Sequence, residues 1–270
     1  MEIINNEKHA KEVLKDFTET AFVPTMGNLH SGHLSLLDKA KEVGKTIIAS
    51  IYVNPLQFGI NEDFDSYPRT LDDDLSKLEQ AGCDFVFCPS ENILENIQKY
   101  KAPNISKKLC GKNRPTHFDG VVTIVRKLFK VLNPDYAVFG LKDYQQFLII
   151  KKFFKEHNFQ TKILGSPIIR EPDGLAMSSR NNLLTSENRQ IAPKIYKQLT
   201  WIRDNIDNQS HNDLILKSIE TFNDNNIYPE YLSILNPETL DDAKDDDVSV
   251  LIAIAVKLGN VRLIDNILIN

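Results

Sequence analysis

Short apolar runs alternate with amphipathic stretches along the first two thirds of the chain. The runs are rich in β-branched and aromatic residues, which predicts buried strands, whereas apolar positions at helical spacing predict amphipathic helices. The predicted strands are Ala21–Thr25, Thr46–Val53, Asp84–Cys88, Tyr136–Phe139 and Gln160–Leu164. The predicted helices are Glu7–Phe17, His33–Val43, Thr70–Ala81, Val121–Leu132 and Tyr144–His157. This alternation indicates an α/β fold in which a mostly parallel sheet is covered by helices on both faces.

The pattern changes after Pro167, where Glu171–Gly174 has the composition of a turn. Two helices and then three strands are predicted beyond it: Ser186–Asn205, His211–Asn225, Tyr231–Leu235, Val248–Lys257 and Val261–Ile264. Helices followed by strands favour a separate, smaller α+β domain. We therefore predict two domains, residues 1–168 and 169–270. The acidic segment Asp241–Asp247 is predicted to be a solvated loop.

The composition argues against a nucleic-acid-binding protein, a membrane-spanning protein and a secreted protein. The chain has 270 residues, 41% of them apolar and 26% charged, and a formal net charge of -5. This charge argues against a nucleic-acid partner, which would require a basic face. Apolar runs are too short for a transmembrane helix, and the N-terminus lacks the features of a signal peptide. Three scattered cysteines without a C-x-x-C pair indicate free thiols in a reducing cytoplasm.

The segment Pro24–His33 contains the most informative motif, an H-x-G-H sequence that follows a predicted strand and begins a predicted helix. The N–H groups and partial positive charge of a helix N-terminus favour phosphate, and imidazoles add further donors. Two alternatives remain open for His30 and His33. One or both cap the helix, or their spacing of three residues places them together on a metal.

Two other predicted strands end in polar segments, Asn54–Phe58 and Gly140–Gln146. The carboxyl ends of parallel strands share one edge of the sheet, so we expect these segments to meet the H-x-G-H loop in one crevice. The neutral amide of Gln57 suits a substrate carboxylate, and Lys142 suits the charge on a leaving pyrophosphate. Alternatively, Gln57 satisfies local backbone groups, and Lys142 is a surface lysine beside a helix-capping Asp143.

Three further segments have candidate chemistry with a structural alternative. Met177–Arg180 combines two hydroxyls with a guanidinium, which suits phosphate on a mobile loop. Asp72–Asp74 suits Mg²⁺, or else complements the dipole of a helix N-terminus. Arg114 and His117 either flank phosphates or close a lid, or else they belong to a structural turn.

Together these segments resemble the pantothenate synthetase (pantoate–β-alanine ligase) family of the HIGH-motif nucleotidyltransferase superfamily. The matching stretches are PTMGNLHSGH, YVNPLQFG, NEDFDSYPRTLDDDL, RPTHFDGVVTIVRKL, FGLKDYQQ, REPDGLAMSSRN and GNVRLIDN. The resemblance implies a Rossmann-like N-terminal domain, a smaller C-terminal lid domain and a homodimer. It also implies a ligase whose substrates are ATP, (R)-pantoate and β-alanine. Pantoyl adenylate and pyrophosphate form first, and β-alanine then displaces AMP to give pantothenate.

The resemblance also implies roles for individual residues. His30, His33 and Lys142 are expected to be catalytic. His33 matches the position of the proton donor. Gln57 and Gln146 are expected to bind pantoate, with Gln57 also bordering β-alanine, and Asp73 and Asp74 match positions associated with Mg²⁺. The expected ATP-binding residues are Met26, Gly27, Asn28, Leu29, His30, Ser31, Gly32, His33, Gly140, Leu141, Lys142, Asp143, Ile169, Met177, Ser178, Ser179 and Arg180.

The chain departs from the family pattern at two positions. Leu141 stands where glutamate is common, which is expected to change the charge beside Lys142, and Ile60 replaces a frequent proline. Two other functions remain open: a HIGH-type nucleotidyltransferase that stops after nucleotidyl transfer, and a non-catalytic nucleotide-binding protein. The first would not require two crevice glutamines, and the intact His30, His33 and Lys142 argue against the second.

Overall fold

A computed structural model describes residues 1–59 and 62–270 of the chain. The expectation for Ile60 therefore lies outside the described residues. Six strands form a parallel sheet: β1 Glu2–Ile4, β2 Thr20–Thr25, β3 Thr46–Ile51, β4 Phe85–Phe87, β5 Tyr136–Gly140 and β6 Lys162–Ser166. The helices between them are α1 Glu7–Leu14, α2 Ser31–Lys41, α3 Leu71–Gln80, α4 Leu109–Asn113, α5 His117–Leu132 and α6 Tyr144–Glu156. The predicted α/β class with a parallel sheet is confirmed.

The order of the strands is β1-β4-β3-β2-β5-β6. The chain passes from β2 to β3 on one side and later returns to β5 on the other, so the strand order reverses at β2. Parallel sheets bind ligands at such a reversal, outside the carboxyl ends of the strands. The segments after β2, β3 and β5, which contain most of the predicted site residues, therefore begin at neighbouring strands.

Strand β2 separates from β5 towards the carboxyl end of the sheet, while it stays paired with β3. Its register with β5 covers Ala21–Tyr136 and Phe22–Ala137, whereas its register with β3 continues to Thr25–Ile51. Pro24 lies in the part of β2 beyond the β5 pairing, where its lack of an N–H group removes no ladder hydrogen bond. The sequence thus places a residue that cannot donate at the point where the two central strands part.

Alternate side chains of β2 reach opposite faces of the sheet. Ala21 and Val23 pack in a cluster with Leu37 of α2 and Leu78 of α3, and Phe22 meets Phe129 of α5 edge to face. Because both faces are covered, the strand is apolar throughout rather than alternating. Phe22 is completely buried.

The remaining chain forms α7 Ser186–Ile191, α8 Lys194–Asn205, α9 His211–Asp224 and an antiparallel sheet of β7 Pro229–Leu235, β8 Val250–Leu258 and β9 Val261–Ile269. Its apolar core includes Leu199, Phe222 and Ile252. The helix predicted over Ser186–Asn205 is wrong as one element. It is broken at Pro193, which has no N–H to continue the helical ladder.

Contacts divide the described chain into two compact units. The first unit is Met1–Leu141 with Gln145–Pro167, and the second is Lys142–Tyr144 with Ile168–Asn270. The predicted domain boundary lies between residues 168 and 169. It does not account for Lys142–Tyr144, which group with the second unit. Within residues 1–59 and 62–270, none of the helices combines the length and apolar character needed to cross a membrane.

Candidate active site

The loop after β2 folds around the carboxylate of Asp74 on α3. Asp74 accepts hydrogen bonds from the backbone N–H groups of Asn28 (2.8 Å) and Leu29 (2.7 Å). Gly27 and Asn28 both have positive φ, 79° and 50°. A glycine is required at 27, because a Cβ there would lie 2.8 Å from Oδ2 of Asp74. Two N–H groups of the predicted phosphate loop thus point at the protein's own carboxylate.

His30 and His33 form a reciprocal cap at the start of α2. The N–H of Gly32 donates to Nδ1 of His30 (3.1 Å), and the N–H of His30 donates to Nδ1 of His33 (3.4 Å). The capping alternative for both histidines is therefore confirmed. An accepting Nδ1 places the hydrogen of a neutral imidazole on Nε2. Both rings are thus oriented with Nε2–H as a donor, the form that a phosphate oxygen requires.

Gln57 lies in a helical turn, Pro55–Gln57, that follows β3, and its side chain reaches the loop after β2. Its Nε2 lies 2.9 Å from Sδ of Met26, and its Oε1 accepts from Nδ2 of Asn54 (3.1 Å). The structure therefore brings together two predicted site residues that are 31 positions apart in the chain.

The backbone of Gln57 is held by the turn that precedes α5. Its carbonyl oxygen accepts from Nδ1 of His117 (2.7 Å) and from a guanidinium nitrogen of Arg114 (3.3 Å). Burial raises the pKa of Glu62, but the hydrogen bond and charge of Arg114 outweigh it and leave that pKa below its usual value. Arg114 and His117 therefore position a site residue, which agrees with the structural alternative for this segment.

Close packing also fixes this turn. A Cβ on Gly120 would lie 2.0 Å from the carbonyl oxygen of Leu56, so only glycine lets α5 approach Pro55–Gln57. The Gly120 carbonyl accepts from Asn54 (3.2 Å), which is buried. The position of Gln57 is thus set by α5, far along the chain.

Strand β5 ends at Gly140, and Leu141 follows it. Leu141 packs against the neighbouring strand, where a Cβ on Gly165 would lie 2.6 Å from its Cδ2. The departure from the family at 141 is therefore accommodated by apolar packing over a glycine. The two glutamines of α6 differ: Gln145 is buried and bonded to the backbone at Ile105 and Lys108, whereas Gln146 is half-buried.

Lys142 is held within the second unit by β9. Nδ2 of Asn266 donates to the Lys142 carbonyl (3.0 Å). The adjacent Asp265 forms a bidentate ion pair with Arg170 (2.7 and 2.9 Å), and the guanidinium lies 3.5 Å from the ring centroid of Tyr196. Asp265 is 3% exposed, so this ion pair is well shielded from solvent. The backbone of the predicted catalytic lysine is thereby fixed by the last strand.

Ile169 and Met177 are brought together at the base of the predicted turn. The N–H of Met177 donates to the Ile169 carbonyl (3.0 Å), and Gly174, with φ of 92°, donates to the Glu171 carbonyl (2.9 Å). This confirms the turn at Glu171–Gly174. Ser178 caps the following short helical turn, Ser179–Leu183, by accepting from the N–H of Arg180.

The predicted magnesium pair does not form a ready metal site. Both oxygens of Asp74 accept hydrogen bonds and its side chain is completely buried. Asp73 is exposed and pairs with Lys77 (2.6 Å). In the part of the chain that the structure describes, no group of three metal-ligating side chains is found. Asp73 and Asp74 therefore do not fit direct coordination of Mg²⁺ in this arrangement.

Comparison with known proteins identifies the family. The model for the family described as pantoate-beta-alanine ligase matches residues 2–268. The chain belongs to this family. The pantothenate synthetase of Saccharophagus degradans is 44% identical over 256 residues, covering 91% of this chain and 89% of the relative. That of Pseudomonas putida is 45% identical over 256 residues, covering 92% and 89%.

Solved structures of pantoate–β-alanine ligases have the same fold. The pantothenate synthetase of Thermus thermophilus superposes with a TM-score of 0.95 at 35% identity, over 99% of each chain. The pantoate-beta-alanine ligase of Francisella tularensis, solved in complex with beta-gamma ATP and beta-alanine, superposes with a TM-score of 0.84 at 36% identity. It covers 99% of this chain and 97% of its own. The family resemblance of the motifs is therefore confirmed.

The sequence did not reveal the residues that position the predicted site residues through hydrogen bonds and ion pairs. From the sequence, no role is predicted for Asn54, Arg170, Asp265 or Asn266, although Asp265 and Asn266 stand within a strand that is apolar apart from these two residues and Arg262. Buried polar residues in such a strand require partners, and that signal points to a polar contact. Neither the partner nor its distance along the chain is visible in the sequence.

Proposed function

We propose that this protein condenses pantoate with β-alanine through a pantoyl adenylate, releasing pyrophosphate and then AMP. The observation that supports this most directly is the contact of Gln57 with Met26. It places a neutral amide, suited to a carboxylate, beside the H-x-G-H loop at the point where the strand order reverses. The Francisella relative was solved in complex with beta-gamma ATP and beta-alanine, and this chain belongs to its family.

The chemistry requires activation because a carboxylate lacks a leaving group. Attack of a pantoate carboxylate oxygen on the α-phosphorus of ATP forms the acyl–phosphate bond and breaks the bond to pyrophosphate. The amine of β-alanine then attacks the acyl carbon, forms the amide and expels AMP. Donors aimed at the developing negative charge lower the barrier most effectively when they are already oriented.

The proposed roles rest on the family resemblance and on the orientation of the two capping histidines. His30 and His33 donate from Nε2 to phosphate oxygens, with His33 as proton donor, and Met26–His33 with Gly140 and Leu141 bind the nucleotide. Gln57 and Gln146 bind pantoate, and Gln57 also borders β-alanine. Lys142 offsets charge on the phosphates, and Asp143, Ile169 and Met177–Arg180 contribute to nucleotide binding.

The first test is isotope exchange between pyrophosphate and ATP. Exchange that depends on pantoate but not on β-alanine is expected, together with AMP release that requires both. Pantoate-independent exchange would indicate a different nucleotidyl acceptor. Absence of exchange and of AMP release by folded protein would overturn the proposed function.

Replacement of Gln57 should affect pantoate use more than ATP binding. We expect Gln57→Ala to raise the KM for pantoate roughly 10-fold or more, because a hydrogen bond to a charged group contributes about 1.5–3 kcal/mol. The KM for ATP should change less than about threefold, which lies within the range of a neutral contact. Steady-state kinetics with each substrate varied in turn measures this. Unchanged pantoate constants at saturating ATP would remove Gln57 from the site.

Activity should require a divalent cation that enters with the nucleotide. A triphosphate brings several negative charges to a protein whose net charge is -5. Magnesium is commonly bound through substrate phosphates and retained waters. We expect excess EDTA to abolish AMP formation and added Mg²⁺ to restore it. Full activity in EDTA with metal-free reagents would contradict this.

We also propose a homodimer located in the cytoplasm. The homodimer is inferred from the family resemblance, and free thiols at Cys83, Cys88 and Cys110 support a reducing compartment. Light scattering coupled to size-exclusion chromatography tests the assembly. A mass of 30.8 kDa at working concentration would correspond to a monomer and contradict it.

A further inference from the structure

We propose that Asp74 is a positioning residue that fixes the Gly27–Leu29 loop from beneath, and that it does not bind magnesium. The inference extends the proposed function, because the loop it fixes is the proposed nucleotide-binding loop. It assigns to this carboxylate a task different from the one implied by the family resemblance.

Hydrogen bonds to Asp74 determine the shape of the loop. Oδ2 accepts from the N–H of Asn28 (2.8 Å) and from Oγ1 of Thr70 (3.1 Å), while Oδ1 accepts from the N–H of Leu29 (2.7 Å). Successive backbone N–H groups in such a turn form a concave anion site. Here the anion is a side chain of the protein, so the turn is already ordered before a nucleotide arrives.

The burial of Asp74 makes its hydrogen bonds to the loop essential. Asp74 is 0% exposed, and a charge removed from water must have its full set of hydrogen-bond donors. Gly27 packs over the carboxylate, where a Cβ would lie 2.8 Å from Oδ2. The positive φ of 79° at Gly27 and the close approach of Asp74 therefore both require glycine at this position.

Lys77 provides a second contact one helical turn further along α3. Its Nζ donates to the carbonyl oxygen of Leu29 (2.8 Å) and to Oδ2 of Asp73 (2.6 Å). The same helix thus binds both the N–H and the C=O of Leu29. Leu29 immediately precedes His30. These two contacts with Leu29 therefore fix the position of His30, the N-cap residue of α2.

Coordination of a metal would disrupt these contacts. Oδ2 of Asp74 already accepts two hydrogen bonds, and Oδ1 accepts one within a completely buried side chain, so a hydrated cation would reach neither oxygen without displacing the groups packed around them. The ammonium of Lys77 bonded to Asp73 would also repel it. Positioning of the loop therefore accounts for the donors around Asp74, whereas metal binding conflicts with them.

The experiment compares charge-removing variants along one turn of α3. Asp74→Asn retains the size of the side chain but turns an NH₂ group towards the loop donors. Asp72→Asn is the matched control, because Asp72 is exposed on the same first helical turn. Calorimetric titration with a non-hydrolysable ATP analogue, with and without Mg²⁺, measures nucleotide affinity independently of turnover. Melting curves verify that each variant is folded.

We expect Asp74→Asn to weaken analogue binding roughly 10-fold or more both with and without Mg²⁺, since one buried N–H loses its acceptor. The Mg²⁺ concentration for half-maximal activity at saturating ATP should stay within about twofold for Asp74→Asn and Asp73→Asn, as for groups that lack a metal contact. Asp72→Asn should match the wild type in each measurement. If Asp74→Asn does not fold, Lys77→Met tests the same loop and should weaken analogue binding in both conditions.

Two results would overturn the proposal. One is a large rise in the Mg²⁺ requirement of Asp74→Asn or Asp73→Asn, with metal-free nucleotide binding unchanged, which indicates a metal ligand. The other is wild-type analogue affinity in folded Asp74→Asn or, if that variant does not fold, in folded Lys77→Met. Neither result concerns the proposed reaction, which is tested separately by pantoate-dependent exchange in the wild-type protein.

Discussion

His33→Ala should slow adenylate formation by about 10²–10³-fold, the usual cost of removing one oriented donor from a transition-state oxyanion. The reciprocal cap fixes the ring, so that its Nε2–H is oriented before the substrate binds. Single-turnover formation of pyrophosphate in the presence of ATP and pantoate measures the step directly.

The structure supplies the necessary control for this variant. Alanine also removes the acceptor for the His30 N–H, and loss of a cap costs about 1 kcal/mol of stability. His33→Gln retains an acceptor at the third helical position, as in a capping box. We expect His33→Gln to melt like the wild type and still to react slowly. A rate within a few-fold of the wild type for both variants would exclude the donor role.

Lys142→Ala should remove most of the first reaction, with a loss of roughly 10²-fold or more in kcat. The ammonium offsets charge that is greatest as pyrophosphate departs, so the loss should appear in kcat rather than in the KM for ATP. The Lys142 backbone is held by Asn266, and this bond survives the substitution. Pantoate-dependent exchange between ATP and pyrophosphate is the measurement.

Stability separates this prediction from a structural role. Lys142 is half-exposed and its side chain fills no core position, so the melting temperature should change little. Lys152→Ala is the matched control, because it removes one exposed lysine charge from α6, the helix that follows. Near-normal exchange by Lys142→Ala would make the lysine a bystander. A large fall in its melting temperature alone would show that the residue is structural.

The sequence by itself determined most of the strands and helices and which edge of the sheet is predicted to bind ligands. Strands such as Thr20–Thr25 and helices such as Tyr144–Glu156 lie close to their predicted bounds, because burial imposes a local periodicity on each. The three polar segments after β2, β3 and β5 were also predictable, because parallel strands share one carboxyl edge. Strand β1 was missed because three residues are too few to show alternation, and its pairing with β4 holds it.

Only the tertiary structure decided what holds the site residues in place. Asp74 meets Leu29 across 45 positions, and Asn266 meets Lys142 across 124. Hydrogen bonds over such separations leave no periodic signal, since each partner is defined by the packing of strands and helices that are distant in the chain. An acidic run at a helix start is equally consistent with a dipole, a metal or a buried acceptor. The hydrogen bonds from the N–H groups of Asn28 and Leu29 to the buried Asp74 favour the third of these possibilities.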